Sequence, residues 1–494
     1  MPRSQVAEQS VLVDVEPVAA GPARPKSPVD KTFRRYDQDQ PLLLPPDVRE
    51  WLPADHPARM VDDLVEHGLD LAAVYADYTE SRGAPPYDPR LMLKILVYGY
   101  SHGITSSRAL ERRCHDDVAF RFLTADAAPD FVAIARFRIR HGAVLKELFI
   151  QSLALCGRAG LVRLGRVAVD GTKVRANASR HRAMSYDRMG RAEAELDAEV
   201  AGLLAEADRV DAAEDAAYGA DRRGDELPAE LARRESRLAV IRAARAALEA
   251  EHAAAARERA EAAARERGAE EEQVSAAGEA GAASAVVPPR AQRSFTDPDA
   301  RIMKTADGSF HYCFNGQAVV DEKHQVVLAA QLRQSAADGP ALPDLLDELH
   351  AGLTAAGIDG SPRTLLGDAG YFSADNVAAV TAAGIDPVLA TGRLKHGERS
   401  APAPRGRIPK AATAKQRMAR KLRTKKGTAD YARRKVIVEP VFGQLQTCQT
   451  GDRLRLRGKT KADFEWFFHL ACHNFRKLFN SGWTATSRLQ PTTG

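Results

Sequence analysis

Three carboxylates in three separated segments carry the chemistry this chain could perform: Asp170 in VAVDGTKVRANAS, Asp368 in LLGDAGYFSADN and Glu439 in YARRKVIVEPVFGQLQ. Brought together they would form an all-oxygen ligand set, which hard ions such as Mg2+ or Mn2+ prefer. Two such ions about 4 Å apart activate an attacking oxygen and stabilise a leaving one, the requirement of phosphoryl transfer.

The elements that must position these groups can be read locally. Arg166 to Val169 is a short β-branched run broken by Asp170-Gly171-Thr172, which predicts a buried strand delivering Asp170 at its C-terminal end. Thr364 to Gly367 repeats the pattern, with Asp368 ahead of Ala369-Gly370-Tyr371. From Tyr431 to Cys448, Val436, Val438, Val441, Phe442 and Leu445 recur at helical spacing, so Glu439 is expected on a helix that Pro440 should bend or restart. Taken singly, an Asp before Gly is more often a turn residue, and a helical Glu among Arg and Lys is usually a salt-bridge partner. The combination says more, because open α/β sheets place ligand sites beyond the carboxyl ends of their strands.

On DGTKVRANAS, the D-x-G-Y of Asp368 to Tyr371, and Tyr431, Arg434 and Glu439, the chain resembles the DDE-type transposases of bacterial insertion sequences from about Phe33 to Leu478. The resemblance implies an α/β ribonuclease H-like catalytic core, a mixed sheet flanked by helices, with an all-α N-terminal domain and, here, a long helical insertion. It implies that Asp170, Asp368 and Glu439 are the catalytic, metal-holding triad, that two Mg2+ or Mn2+ ions are bound, and that Tyr431 and Arg434 hold DNA phosphate. Terminal inverted repeats and target DNA would be the partners, with a homodimer expected because two ends must be brought together. Two positions depart from the family pattern. Gln446 stands where a Lys is usual, and the interval from Arg434 to Glu439 is one residue longer, with Arg433 and Lys435 as neighbouring cations. A second reading, a non-catalytic DNA-binding or assembly protein of the same descent, would be separated from the first by metal-dependent nicking of DNA ends.

At 494 residues the chain should hold two or three structural units. Its formal charge of +5 is too small to argue for nucleic acid, so the distribution of charge must. Between Gly392 and Lys435 runs RLKHGERS, RGRIPK, KQRMARKLRTKK and YARRK, opposed only by Glu398 and Asp430. Phosphate neutralisation dominates DNA affinity, so Arg423, Lys425 and Lys426 are expected to contact DNA along with Tyr431, Arg433, Arg434 and Lys435. Five scattered cysteines suggest neither a zinc site nor disulfides, in keeping with a reducing cytoplasm. No signal peptide, membrane span, H-E-x-x-H, G-x-S-x-G or phosphate-binding G-K-T loop is present, which argues against other enzyme classes and a small-molecule cofactor. The expected location is the cytoplasm, at the nucleoid when DNA is bound.

Along the chain, residues 1–32 read as a tail and 33–160 as a helical domain that binds DNA. Residues 161–183 and 290–480 read as the catalytic fold, 184–289 as an inserted helical hairpin, and 481–494 as a second tail. Within the helical domain PRLMLKILVYGYS has a strongly apolar face, Gly103 ends it, and Ser106 or Ser107 caps the next helix. That helix carries Arg108, Arg112 and Arg113, which could lie on DNA, and ARFRIRH extends the positive charge through Arg136, Arg138, Arg140 and His141. The insertion reads as two long helices around DRRGDELP, with Leu203, Leu204, Val210, Leu238, Ile241 and Leu248 as the seam and a solvated spacer after Glu249. Its near-balanced charge points to a protein contact. In the last helix the aromatic face should pack, with Trp466 a possible base-stacking residue.

Overall fold

The computed structural model describes residues 33, 50–179, 183–218, 229–392 and 406–485, without the side chains of 203–218 and 229–232. The chain divides into two compact units, one of Met1–Tyr98, Glu111–Pro129 and Gly482–Gly494, the other of Gly99–Leu110 and Asp130–Ser481.

The first unit holds α1 (Pro57–Asp63), a π turn (Leu64–Gly68), α2 (Ala72–Ala76), most of α3 (Pro89–Ser101), the end of α4 (Ser107–Asp116) and α5 (Val118–Thr124). Leu91, Leu93, Ile95, Leu96 and Val97 are all buried, so α3 is apolar all round and not on one face as expected. Lys94 is buried among them. An unpaired ammonium there would be very costly, and Asp62 and Glu66 each approach it at 2.6 Å. The expected tight turn follows α3, with Gly103 at φ +75° and the Ser106 carbonyl accepting from Leu110 N.

In the second unit α6 (Phe131–Arg140) and α7 (Gly142–Arg158) precede the sheet. Arg138 does not extend a basic face. It is buried and donates to the Tyr100 hydroxyl (2.9 Å), the Thr105 carbonyl (2.7 Å) and Ser107 Oγ, while His141 is buried beside it in sequence.

The strands are β1 (Arg166–Arg175), β2 (Ala183–Ser185), β3 (Gln292–Ser294), β4 (Arg301–Lys304), β5 (Phe310–Asp321), β6 (Val327–Arg333), β7 (Thr364–Gly367) and β8 (Asp386–Leu389). The main sheet runs β4-β5-β1-β7-β8 with β6 also on β5, while β2 and β3 pair separately. β5 is antiparallel to β1, β4 and β6, whereas β7 is parallel to β1 and β8, so the sheet is mixed as expected. One expectation fails here: β1 does not stop at Asp170. Long β5 pairs with it from Val167 to Arg175, whereas β7 pairs only with Arg166 to Ala168. Between Ala168 and Arg175, which pairs in parallel with Arg453, the β7 side of β1 therefore has a gap with no strand partner among the described residues, and Asp170 lies along it in mid-strand.

Helices α11 (Leu342–Ala355), α12 (Ala374–Ala382), α13 (Ala414–Arg423), α14 (Lys425–Cys448) and α15 (Lys459–Asn480) complete this half. α14 lies against β1, β5, β7 and β8, while α11 and α15 pack with β6 and α7. Trp466 of α15 is fully buried against Gly316 of β5, where a Cβ would come within 2.7 Å of the ring. That packing removes it as a base-stacking residue.

Among the described residues the insertion holds three helices where two were expected: α8 (Tyr186–Tyr218), α9 (Ala229–Glu266) and α10 (Glu271–Ala283). Leu238, Ile241 and Leu248 are buried with Met189 and Leu196, whereas Leu203, Leu204, Val210 and the DRRGDELP turn lie outside the described residues or side chains. The expected spacer after Glu249 is instead packed helix. Gly268 at φ +74° turns the chain, and Gly281 comes so close to α9 that a Cβ would meet that of Ala260 at 2.7 Å. Glu251 of α9 holds Arg293 (3.1 Å) and Arg301 (2.6 Å), tying the insertion to β3 and β4.

Candidate active site

The gap beside β1 brings two of the three carboxylates level with each other. Ala168 pairs with Leu366 in parallel register, so two residues further on Asp170 stands level with Asp368. Asp368 caps the short 3-10 turn Ala369–Tyr371, its Oδ1 accepting from Gly370 N at 2.8 Å. Asp170 Oδ1 accepts from Gly171 N at 2.9 Å, and its Oδ2 from Arg434 Nη1 at 2.8 Å. Burial pushes the Asp170 carboxyl up, the negative charge of Asp368 adds to this, and Arg434 and the Gly171 amide oppose it.

Helix α14 supplies the third group. Val438, Val441, Phe442 and Leu445 are buried, Val436 is exposed, and Glu439 projects towards solvent with Oε1 3.6 Å from Arg434 Nη2. Arg434 thus bridges Asp170 and Glu439. Pro440 does not restart the helix, which runs through it from Lys425 to Cys448. It cannot donate to the Val436 carbonyl one turn back, and Gln325 Nε2 from the β5–β6 connection donates there instead, at 3.1 Å. That substitution leaves no carbonyl orphaned beside Glu439.

Among the described residues no three His, Cys, Asp or Glu side chains are gathered as a ready metal site. The chemistry of the donors nevertheless fits a divalent ion. Asp170 and Asp368 offer carboxylate oxygens side by side, Asp170 is held against the Arg434 guanidinium, and Glu439 is about half exposed.

The residues expected to contact DNA separate into two groups. Arg423, Lys425, Lys426 and Lys435 are exposed along α13 and α14, as are Arg108 and Arg112 on α4, with Arg108 4.8 Å over the Phe131 ring. Arg433 is exposed but paired with Glu322 at 2.7 Å, Tyr431 is half-buried, and Arg434 is buried in the acidic gap. Asp430 is buried and pairs with Arg166 at 3.3 Å, and Gln446 donates to Thr172 Oγ1 at 3.2 Å. RLKHGERS lies outside the described residues.

A polar cluster that the motifs do not announce adjoins the gap, built on half-buried Asp338 and buried Asn315 and Gln317. Asp338 Oδ1 accepts from Asn315 Nδ2 (2.8 Å), Gln317 Nε2 (2.8 Å) and Lys173 Nζ (3.3 Å), and the Tyr371 hydroxyl donates to Gln317 Oε1. The available signal was Asn315 and Gln317 two apart in an apolar strand, hence on one buried face and in need of partners.

The mixed sheet, with acids level at the open end of β7, defines a ribonuclease H-like core. Residues 46–140 match the family described as Transposase domain (DUF772), and residues 290–475 match the family described as Transposase DDE domain. No curated protein and no solved structure matches the chain. The two family matches identify the chain as a DDE-type transposase of insertion sequences. Asp368 and Glu439 fall within the second match, and Asp170 lies between the two.

Proposed function

We propose that this transposase cleaves DNA at the ends of its element and joins the freed ends to target DNA, with Asp170, Asp368 and Glu439 as the catalytic triad. The observation that carries the proposal is the level placement of Asp170 and Asp368 beside the short strand β7, with Arg434 linking Asp170 to Glu439. Two Mg2+ or Mn2+ ions held there would activate the attacking oxygen and stabilise the leaving one. Asp170 and Asp368 supply fixed oxygens from a strand and a capped turn. Glu439 completes the set from α14 when its side chain turns inwards and Arg434 releases it.

The exposed cations Arg423, Lys425, Lys426 and Lys435 of α13 and α14 neutralise phosphate, with Arg108 and Arg112 as a further contact from residues 33–160. Arg433, paired with Glu322, Arg434, held by Asp170 and Glu439, and Tyr431, hydrogen-bonded to Arg434, reach DNA only by giving up present partners. Residues 161–183 and 290–480 form the catalytic domain, and 184–289 an insertion suited to contact protein. The enzyme works on double-stranded DNA in the cytoplasm, as a homodimer when two ends are paired. No described helix is long and apolar enough to cross a membrane.

The test uses the full chain and duplexes bearing the inverted repeats that flank its gene. Asp170→Ala and Glu439→Gln should abolish Mg2+-dependent strand cleavage while the shifted DNA band persists. Full cleavage by either variant would overturn the assignment.

A further inference from the structure

Asp338 lies between β6 and α11, outside the triad, yet it touches both sides of the gap. A Cβ on Gly171 would come within 2.8 Å of Asp338 Oδ1, and one on Gly370 within 3.4 Å of its Oδ2. The carboxylate is therefore lodged between the residue that follows Asp170 and the second residue after Asp368. Its Oδ1 already accepts from Asn315, Gln317 and Lys173.

These bonds fix more than Asp338 itself. An ionised carboxylate only accepts, so it selects the NH2 end of the fully buried Gln317 amide and leaves Oε1 facing the other way. That oxygen accepts a hydrogen bond from the Tyr371 hydroxyl. Tyr371 is buried, and burial, with Asp338, Asp170 and Asp368 nearby, raises its phenol well above the ordinary range, so it stays a donor. It ends the turn that Asp368 begins. A second tie runs in parallel, because Asn376 Nδ2 donates to both the Gly339 and the Tyr371 carbonyls, at 2.9 and 2.8 Å.

We infer that Asp338 is a positioning residue, which sets the Asp368 turn against the Asp170 strand by orienting Gln317 towards the Tyr371 hydroxyl. The inference rests on the reading of Asp170 and Asp368 as metal ligands. Asp338→Asn presents an amide to the Gln317 amide, so either can turn over and the hydroxyl loses its assigned acceptor. Tyr371→Phe deletes the same link from its far end.

Mn2+ binding to the full chain, followed by electron paramagnetic resonance without DNA, tests this apart from activity, with thermal melting to confirm folding. Asp338→Asn and Tyr371→Phe should each weaken Mn2+ binding about 10-fold, and the double variant no further, as for two residues acting through one link. If Asp338→Asn fails to fold, Tyr371→Phe carries the test. Wild-type affinity in a folded single variant, or losses that multiply in the double, would overturn the positioning role. Asp170→Asn serves as control. If it binds Mn2+ like the wild type, the metal-site reading falls and this inference with it; if it loses binding while Asp338→Asn does not, the positioning role alone falls.

Discussion

Arg434 reaches Asp170 through Nη1 and Glu439 through Nη2, so the cation that the family pattern assigns to DNA phosphate neutralises the acidic gap in the unbound chain. Replacing it by Gln leaves Asp170 without its counter-charge in a largely buried setting, a loss of about 1–3 kcal/mol. Arg434→Gln should therefore melt at lower temperature than the wild type in EDTA, and saturating Mg2+ should narrow the difference, because the ion supplies the missing charge. An equal deficit with and without Mg2+ would contradict that account. At this scale the strands that carry or lead into Asp170 and Asp368 were legible, since an apolar run meeting Asp and Gly is a local pattern. The Arg434–Asp170 pair was not, because 264 residues separate its members and nothing in either segment names the other.

Among the elements, α14 combines two demands. Its exposed first turn continues the basic surface of α13, and changing Arg423, Lys425 and Lys426 together to Gln should weaken DNA binding and flatten the dependence of log K on log salt by about 2–3 units. Filter binding from 50 to 200 mM salt would measure it, and an unchanged slope would place the DNA elsewhere. Near its middle, Gln325 serves the carbonyl that Pro440 frees. Gln325→Ala would leave that group short of a partner, at a cost of about 1–3 kcal/mol, and hydrogen exchange should rise in the turn around Glu439 before the rest of α14. The apolar spacing correctly predicted a helix here, but the sequence could not reveal what would keep it whole through a proline. The length of β1 was hidden for the same kind of reason: Gly171 and Thr172 look like a stop until a long partner strand is present to hold them.

For the molecule as a whole, α15 carries two imidazoles that folding keeps neutral. Burial, with nearby Arg455, pushes His469 down to about 3, and burial pushes His473 equally far against the opposing Gln325 carbonyl. The unfolded chain takes up these protons near pH 6.5 and the folded one does not. Stability is thus complete above that pH and falls as pH drops from about 6.5 towards 3, approaching about 1.4 kcal/mol per pH unit for each imidazole. Melting temperatures at pH 7 and pH 5 should show the fall, and His469→Leu should lessen it. A slope unchanged in that variant would remove His469 from the explanation. The composition of the insertion predicted helices but not their number, because a glycine with positive φ and close helix contacts turn an Ala-rich stretch back on itself.

The short ribbon of β2 and β3 sets Ser185 opposite Gln292, so the inserted helices leave and rejoin the core side by side. Topologically they are one oversized hairpin loop, and such a loop can be excised. Joining Ser185 to Gln292 through Asn-Gly, a dipeptide suited to a two-residue reversal, should give a chain about one fifth shorter whose main sheet still closes. It would also make that junction a natural splice point, at which a foreign domain with adjacent termini could be carried without disturbing the acidic gap.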